Sequence, residues 1–336
     1  METVAGVARH CATVFLCCMP SVTVRAPTRL DFGGGWTDVP PYSTEQGGRV
    51  CSVAIARYAT VRLSTAPGDG ADPARVSDSA LAVAALRRSG LTACVSSIHS
   101  DFPMGAGLGG SSAAGVAMAA AIRVWRGEPI DALAELAEES RATESEALGI
   151  PGGRQDHYAA SWGGALDLAF GERTTVRPIL LTAATRAALE SRCVVVYSGE
   201  SRVSGDTITA VMNAYAAREA RVLVALERMK ALAGEMTTAI ATGDIDALGA
   251  AVGEHWIHQR SLHPAIPTPL IDGLLDTARA AGAIGGKALG ASGGGCVVAI
   301  AADGRGAEVR RAMATMGEPL DFRIDEEGVC VLEQLT

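Results

Sequence analysis

The sequence predicts an α+β chain built as two domains, and three observations carry that prediction. Its 336 residues, 48% hydrophobic and 20% charged, suffice for two hydrophobic cores. Alternating, β-branched runs stand near both ends, while long helical patterns fill much of the interval between them. A loop-like stretch over 171–185 separates the halves. It places the domains at 22–185 and 186–336, behind an N-terminal extension of residues 1–21.

The elements follow in order. Residues 22–29 and 50–63 read as strands around a loop, 33–48, that is full of Gly, Pro and polar residues. A loop of that length usually has a function. Residues 80–89 read as a helix and 93–99 as a strand. The helix over 111–126 carries Ala and Met around most of its face and is expected to be buried. A second helix, 130–147, is acidic on one side and closes at the Gly and Pro run 149–153, after which Gln155 to Trp162 begins another. In the second half a strand over 192–197 precedes helices at 205–234, 247–262 and 269–281. The end alternates again, with strands at 296–301 and 328–332 around a helix at 308–316. No internal repeat is visible.

Composition excludes several functions. The net charge is −8 and no basic cluster exceeds the Arg87-Arg88 or Arg310-Arg311 pairs, so no nucleic-acid partner is expected. No apolar run reaches the roughly 20 residues that span a bilayer, so no membrane association is expected. The apolar stretch 12–19 is read as part of an extension rather than as a signal peptide, because Glu2, Arg9 and His10 flank it and no small-residue cleavage site follows. Eight cysteines without a CxxC or a zinc-spaced Cys/His pairing read as reduced, mostly buried thiols, which favours the cytoplasm.

The chemistry concentrates at PMGAGLGGSSAAG, residues 103–115. Glycines there open directly onto serines and a helix. Glycine backbone and a helix N-terminus together bring N–H groups to an anion, so Pro103, Gly105, Ala106, Gly107, Leu108, Gly109, Gly110, Ser111 and Ser112 form a candidate phosphate cradle. The only lysines, Lys230 and Lys287, are each followed by alanine, which excludes a Walker loop. Neither a VAIK strand nor an HRD loop occurs, which excludes the protein kinases.

Three further segments stand in order with that loop: RAPTRLDFGGGWTDVPPYSTEQGG from Arg25, ESEALGIPGGRQD from Glu144 and KALGASGGG from Lys287. Together the four resemble the signature segments of the kinase superfamily of galactokinase, homoserine, mevalonate and phosphomevalonate kinases (GHMP). The likeness runs from about Val22 to the end of the chain. Within the superfamily, GGWTD with PPYS, GGRQDHYAASWGG, VVVYSGESRVSG, HWIHQRSLHPAIPTPLID and GAIGGKALGASGGG resemble D-glycero-D-manno-heptose 7-phosphate kinase. GGWTD with PPYS also resembles the kinase domain of L-fucokinase. A GEHTDY-type galactokinase string is absent.

The resemblance implies a two-domain GHMP fold, with a ribosomal S5 domain 2-like N-terminal domain and a ferredoxin-like C-terminal domain. It also implies ATP and Mg²⁺ as cofactors, and phosphorylation of the anomeric hydroxyl of a sugar such as a heptose or heptose 7-phosphate. Phosphoryl transfer needs placement and charge neutralisation more than covalent chemistry. Asp156, at the start of a predicted helix whose dipole favours a carboxylate, matches the general base, and Arg29 matches the arginine beside it. Glu144 with Ser111 or Ser112 matches the Mg²⁺ ligands; the extra Gly110 leaves the serine register open, with Ser111 slightly favoured. Asp38 matches the sugar-binding aspartate. Thr37, Gly153, Gly293 and Gly294 join it as candidate substrate contacts. Trp36 and Tyr42 read equally as sugar-stacking rings or loop packing, and Glu45 and Gln46 are weaker candidates. His157 is expected to be structural. Arg202 and Arg260 are candidate cations for a terminal phosphate on the sugar. An L-fucokinase-like or other deoxysugar 1-kinase is the alternative, and a non-catalytic sensor of sugar and ATP the remote one, since it should have lost the residues present here. Either a monomer or a homodimer fits.

Overall fold

The computed structural model describes residues 20–65, 79–91, 94–149, 152–201 and 205–335, so the apolar stretch 12–19 and Arg202 lie outside the described residues. The first half begins with two long antiparallel strands, β1 (Ser21–Gly33) and β2 (Gly48–Thr65), joined by a loop that holds a short helix, α1 (Tyr42–Gln46). Then come α2 (Ala80–Ser89), β3 (Cys94–Ser100), α3 (Gly110–Trp125), α4 (Leu133–Leu148) and α5 (Gln155–Trp162). A hairpin follows, β4 (Ala165–Phe170) with β5 (Thr174–Ile179). The second half runs α6 (Ala183–Arg192), β6 (Cys193–Tyr197), α7 (Gly205–Ala216), α8 (Ala220–Thr242), α9 (Ile245–Ser261) and α10 (Pro269–Ala280). It closes with β7 (Ala283–Ala288), β8 (Cys296–Ala301), α11 (Gly306–Met313), β9 (Glu318–Leu320) and β10 (Cys330–Leu335).

Among the described residues the strands form two antiparallel sheets. One has the order β10-β1-β2-β4-β5, with β3 also paired to β2, and the other the order β7-β8-β6-β9. The last strand therefore returns to the first sheet, pairing with β1 from Ser21↔Leu335 to Arg25↔Cys330. Helix α3 is apolar on nearly every side, as its sequence requires, and lies buried against Val22, Val24 and Ala26 of β1 and Val61 and Leu63 of β2. A second core joins the halves, with Leu30 and Phe32 packed among Leu232, Met236, Val252 and Ile300.

A change of register in β1 decides what faces the functional cleft. The β1–β2 pairing shifts between Pro27 and Thr28. Before the shift the even positions Val24 and Ala26 pack with α3; after it Leu30 and Phe32 join the other core. The odd positions Arg29 and Asp31 are thereby turned toward the α3 side, where both line a cleft.

Two expectations change. The stretch 171–185 is not a loop: it contains β5 and the start of α6. The helix over 205–234 is two helices, parted at Arg218, whose φ of 59° no helix tolerates. Among the described residues Cys51, Cys94, Cys193 and Cys296 are buried free thiols and Cys330 is half-buried. No helix among them is long and apolar enough to cross a membrane.

Candidate active site

A cleft of about 960 Å³ is lined by residues from all four glycine-bearing segments. Its wall is the turn between β3 and α3. Gly105, Gly107 and Gly109 there have φ of 69°, 73° and 74°, a region that favours glycine. Among the described residues no side chain caps α3, and its first N–H to donate within the helix is that of Ala113, to the Gly109 carbonyl at 2.9 Å. The amides of Gly110, Ser111 and Ser112 have no such partner, which is the arrangement an anion seeks. The opposite glycine-rich turn holds this loop in place. The Cys296 amide donates to the Ala106 carbonyl at 2.8 Å, and a Cβ on Gly290 would lie 3.1 Å from Gly107 Cα.

Asp156, in the first turn of α5, points at the loop. Its Oδ1 takes both Nε and Nη2 of Arg29 at 2.7 Å. Arg29 also donates through Nη1 to the Gly107 carbonyl at 2.6 Å, and its own amide reaches the Leu108 carbonyl at 3.1 Å. Arg29 is 3% exposed and Asp156 25%, so the pair is anchored on its arginine side and open on its carboxylate side. Among the described residues nothing donates to Asp156 Oδ2, which sits beside Gly109.

A second cluster lies next to it, between α3, α4 and α5. Ser112 donates to Glu144 Oε2 at 2.9 Å, His157 Nε2 lies 3.0 Å from the same oxygen, and His157 Nδ1 is 3.0 Å from Ser140 Oγ. Burial pushes the Glu144 carboxyl up, but His157, Ser111 and Ser112 more than offset it and leave it at about 2. Ser112 is buried and holds the 2.9 Å hydrogen bond to Glu144, while Ser111 is exposed and also helps keep the carboxyl low. A carboxylate and a hydroxyl side by side are hard oxygen donors, and they fit Mg²⁺ that shares its remaining positions with water and phosphate.

The segment after β1 forms the inner end. Asp38 is 1% exposed, and its Oδ2 accepts from the amides of Arg154 and Gln155 at 2.8 and 3.0 Å, so it caps α5 from a distant loop. Its Oδ1 is buried and has no partner among the described residues. Burial, with Asp156 and Asp31 nearby, raises the Asp38 carboxyl to about 6 against the two amide bonds. Trp36 also lines the cleft, and its buried Nε1 has no partner among the described residues.

Other expected residues lie elsewhere. Tyr42 is 2% exposed, hydrogen-bonds Glu227 at 3.1 Å and meets Tyr215 edge-on, which makes it loop packing rather than a cleft ring. Thr37 staples its own loop through the Gly34 and Arg49 carbonyls, and Gly293 is bonded to the Ile266 carbonyl; neither lines the cleft. Gly153 and Gly294 do line it. Glu45 accepts from Tyr215, Gln46 accepts from Lys230 through its carbonyl, and Arg260 pairs with Asp272, all away from the cleft.

Sequence reasoning passed over Lys287, Asp31 and His255. Lys287 is 0% exposed and pairs with Asp31 at 3.1 Å; burial lowers its ammonium, Asp31 drawing it back up. His255 Nε2 accepts from the Gly34 amide at 2.9 Å, and burial, with Lys287 nearby, holds the ring well below the ordinary histidine range and hence neutral. The available signal was one lysine inside a run of small apolar residues, a position where a charge must be paired.

Comparison with known proteins follows the same outline. Residues 77–164 match the family model for the GHMP kinases N terminal domain and 236–318 that for the GHMP kinases C terminal. The chain is 24% identical over 353 residues to the bifunctional fucokinase/GDP-fucose pyrophosphorylase of Arabidopsis thaliana. That alignment covers 92% of this chain but 32% of the plant protein, so the chain spans about a third of that relative's length. With D-glycero-alpha-D-manno-heptose 7-phosphate kinase of Campylobacter jejuni it is 28% identical over 234 residues, 69% of this chain and 68% of the other. A crystal structure of a D-glycero-D-manno-heptose 1-phosphate kinase from Bacteroides thetaiotaomicron superposes with a TM-score of 0.74 at 24% identity, over 94% of this chain and 100% of that one, which establishes the shared fold.

Proposed function

We propose that this chain, which belongs to the GHMP kinase family, moves the γ-phosphoryl group of ATP to the anomeric hydroxyl of a heptose or heptose 7-phosphate. The observation that carries the proposal is the Asp156 carboxylate. It is held on Arg29, faces the glycine loop with one oxygen open, and stands in one cleft with the Ser112–Glu144 pair. In this reading the triphosphate lies along the loop and the first amides of α3. Asp156 Oδ2 takes the proton of the acceptor hydroxyl, whose oxygen forms a bond to the γ-phosphorus as the bond to the β-phosphate oxygen breaks. ADP leaves. Arg29 orients Asp156 through Oδ1 and lies where it offsets charge on the transferring group. Ser112 and Glu144 would hold Mg²⁺, which when bound supplies charge neutralisation on the phosphates. Asp38 Oδ1, buried and unpaired, would receive a sugar hydroxyl.

A second reading, an L-fucokinase-like or other deoxysugar 1-kinase, is favoured by the long alignments with fucokinase proteins, 92% of the chain for Arabidopsis thaliana and 88% for Bacteroides fragilis. ATP consumption with heptose 7-phosphate, free heptoses, L-fucose and hexoses separates the two, with phosphorus NMR locating the new phosphate. Phosphate found on C1 supports a 1-kinase. Absence of sugar-dependent ATP consumption across the panel overturns both readings.

A further inference from the structure

The inner end of the cleft contains a charged pair for which the proposed reaction has no use. Asp31 on β1 and Lys287 on β7 belong to different sheets, are 2% and 0% exposed, and meet at 3.1 Å through Asp31 Oδ2. Asp31 lines the cleft, on the same face of β1 as Arg29, and Lys287 is sealed behind it. The pair occupies only one carboxylate oxygen: Asp31 Oδ1 is buried and accepts from nothing among the described residues. A buried ion pair is tolerable when its remaining lone pairs find donors, and this one has a lone oxygen waiting at the edge of a cavity.

Two more buried acceptors wait beside it, Asp38 Oδ1 and Gln155 Oε1. The three side chains converge. Gln155 donates its amide to Asp38, and a Cβ on Gly35 would lie 3.1 Å from Gln155 Nε2 and 3.2 Å from Asp31 Cγ. An occupant that satisfies them must bring donors. It must also avoid bringing negative charge, because three carboxylates stand there, Asp156 paired with Arg29 and Asp31 with Lys287, and Asp38 feels both other carboxylates. Hydroxyl groups meet both conditions and a phosphate meets neither.

We propose that Asp31, fixed by Lys287, is a specificity-determining residue whose Oδ1 accepts a hydrogen bond from a hydroxyl of the acceptor. The inner end of the cleft therefore takes an uncharged, polyhydroxylated part of the sugar, and any phosphate on the acceptor lies toward the mouth. The inference rests on the sugar kinase reading.

The test uses the full chain, its best acceptor and the set of monodeoxy analogues of that acceptor. In the wild type, the analogue lacking the Asp31-bound hydroxyl loses about 10–100-fold in kcat/KM, mostly through KM, with the KM for ATP unchanged. Asp31→Leu combined with Lys287→Met replaces the pair by apolar side chains of similar size, and there that analogue's penalty falls to within about threefold of the parent. Asp31→Asn keeps the shape at that position should the double variant not fold, and it shrinks the same penalty at least threefold. A merely structural pair would change all acceptors alike. Wild-type turnover with a pattern of deoxy penalties that the variants leave untouched overturns the assignment of Asp31. A wild type inert toward every sugar instead overturns the kinase reading, and this inference with it.

Discussion

Replacement of Gly109 by alanine tests whether the glycine loop and the Asp156 carboxylate work as one unit. Gly109 has φ of 74° and stands immediately before α3, and a Cβ there would lie 3.0 Å from Asp156 Cγ and 3.1 Å from Oδ2. Two separate costs follow. The left-handed backbone costs a Cβ-bearing residue roughly 1–2 kcal/mol. Ordinary carbon contacts need about 3.5–4.0 Å, so the carboxylate must retreat by about half an ångström. That retreat pulls on the 2.7 Å contact with Arg29. A misplacement of about 1 Å can cost on the order of 10²-fold in rate, so half of that predicts a loss of about tenfold in kcat. Gly90 supplies the control. It has φ of 68° at the end of α2, and a Cβ there meets nothing within 4 Å. Gly90→Ala therefore carries the strain without the collision. Thermal unfolding should show both variants losing a few degrees, and steady-state ATP consumption should show kcat falling in Gly109→Ala alone. Wild-type kcat in Gly109→Ala, or an equal loss in Gly90→Ala, would refute the coupling.

Asp156→Asn keeps an oxygen for Arg29 but cannot take a proton, so kcat should fall about 10²–10⁴-fold while calorimetric ATP affinity stays nearly constant; full turnover would remove Asp156 from the role of base. His157→Ala strips Glu144 of its 3.0 Å partner, and half-saturating Mg²⁺ should rise about 10–100-fold with little change in kcat at saturating metal, as expected for a residue that orients a ligand. An unaltered Mg²⁺ titration would argue against that role. Asp38, raised to about 6, loses its charge as pH falls below that value, so kcat/KM for the acceptor should drop on the acid side of pH 6. Asp38→Asn should abolish that limb of the pH profile along with most acceptor affinity. Because the folded-state value lies above the ordinary 3.8, the folded protein binds more protons between those values, and the contribution of Asp38 to stability grows as pH falls through that window.

Much of the fold was legible because local chemistry and tertiary packing agree. Helix α2 starts and ends where expected, since the Ser79 hydroxyl accepts from the Ala82 amide and Gly90 takes the left-handed cap. Where they disagree, sequence reading fails. Strand β5, TTVRPI, is an edge strand whose outward residues are polar and which contains Pro178, so its composition is that of a loop. The break between α7 and α8 contains neither Gly nor Pro and leaves no local signal. In β7, AIGGKA, the glycines suggest a turn, yet they serve close packing: a Cβ on Gly285 would stand 2.8 Å from the Gly253 amide nitrogen of α9. The site divides the same way. Residues within one segment, such as the glycine loop, were readable, whereas Asp31 and Lys287 are 256 positions apart and only the assembled sheets bring them together.

Gly110 helps set the shape of the proposed phosphate site, whose loop contains no lysine. Gly110 sits against the ring of Phe102, and a Cβ there would come within 2.8 Å of Phe102 Cζ, so a side chain at 110 would have to displace that ring. Ser111 falls on the exposed side, and Ser112 falls on the side facing α4, where it meets Glu144 at 2.9 Å. In the proposed reading, what a Walker lysine would contribute is assembled from separate parts. Amides at the start of α3 come from one segment, the hydroxyl and carboxylate suited to a metal from α3 and α4, and Arg29 from β1, just past the register shift. Each part is short of what a lysine supplies, and none lies within the loop's own sequence beyond its amides and one serine. A pattern search confined to the loop therefore misses what the folded chain brings to it: the Arg29 cation from β1 and, beside it, the Ser112–Glu144 pair that would hold Mg²⁺ in the proposed reading.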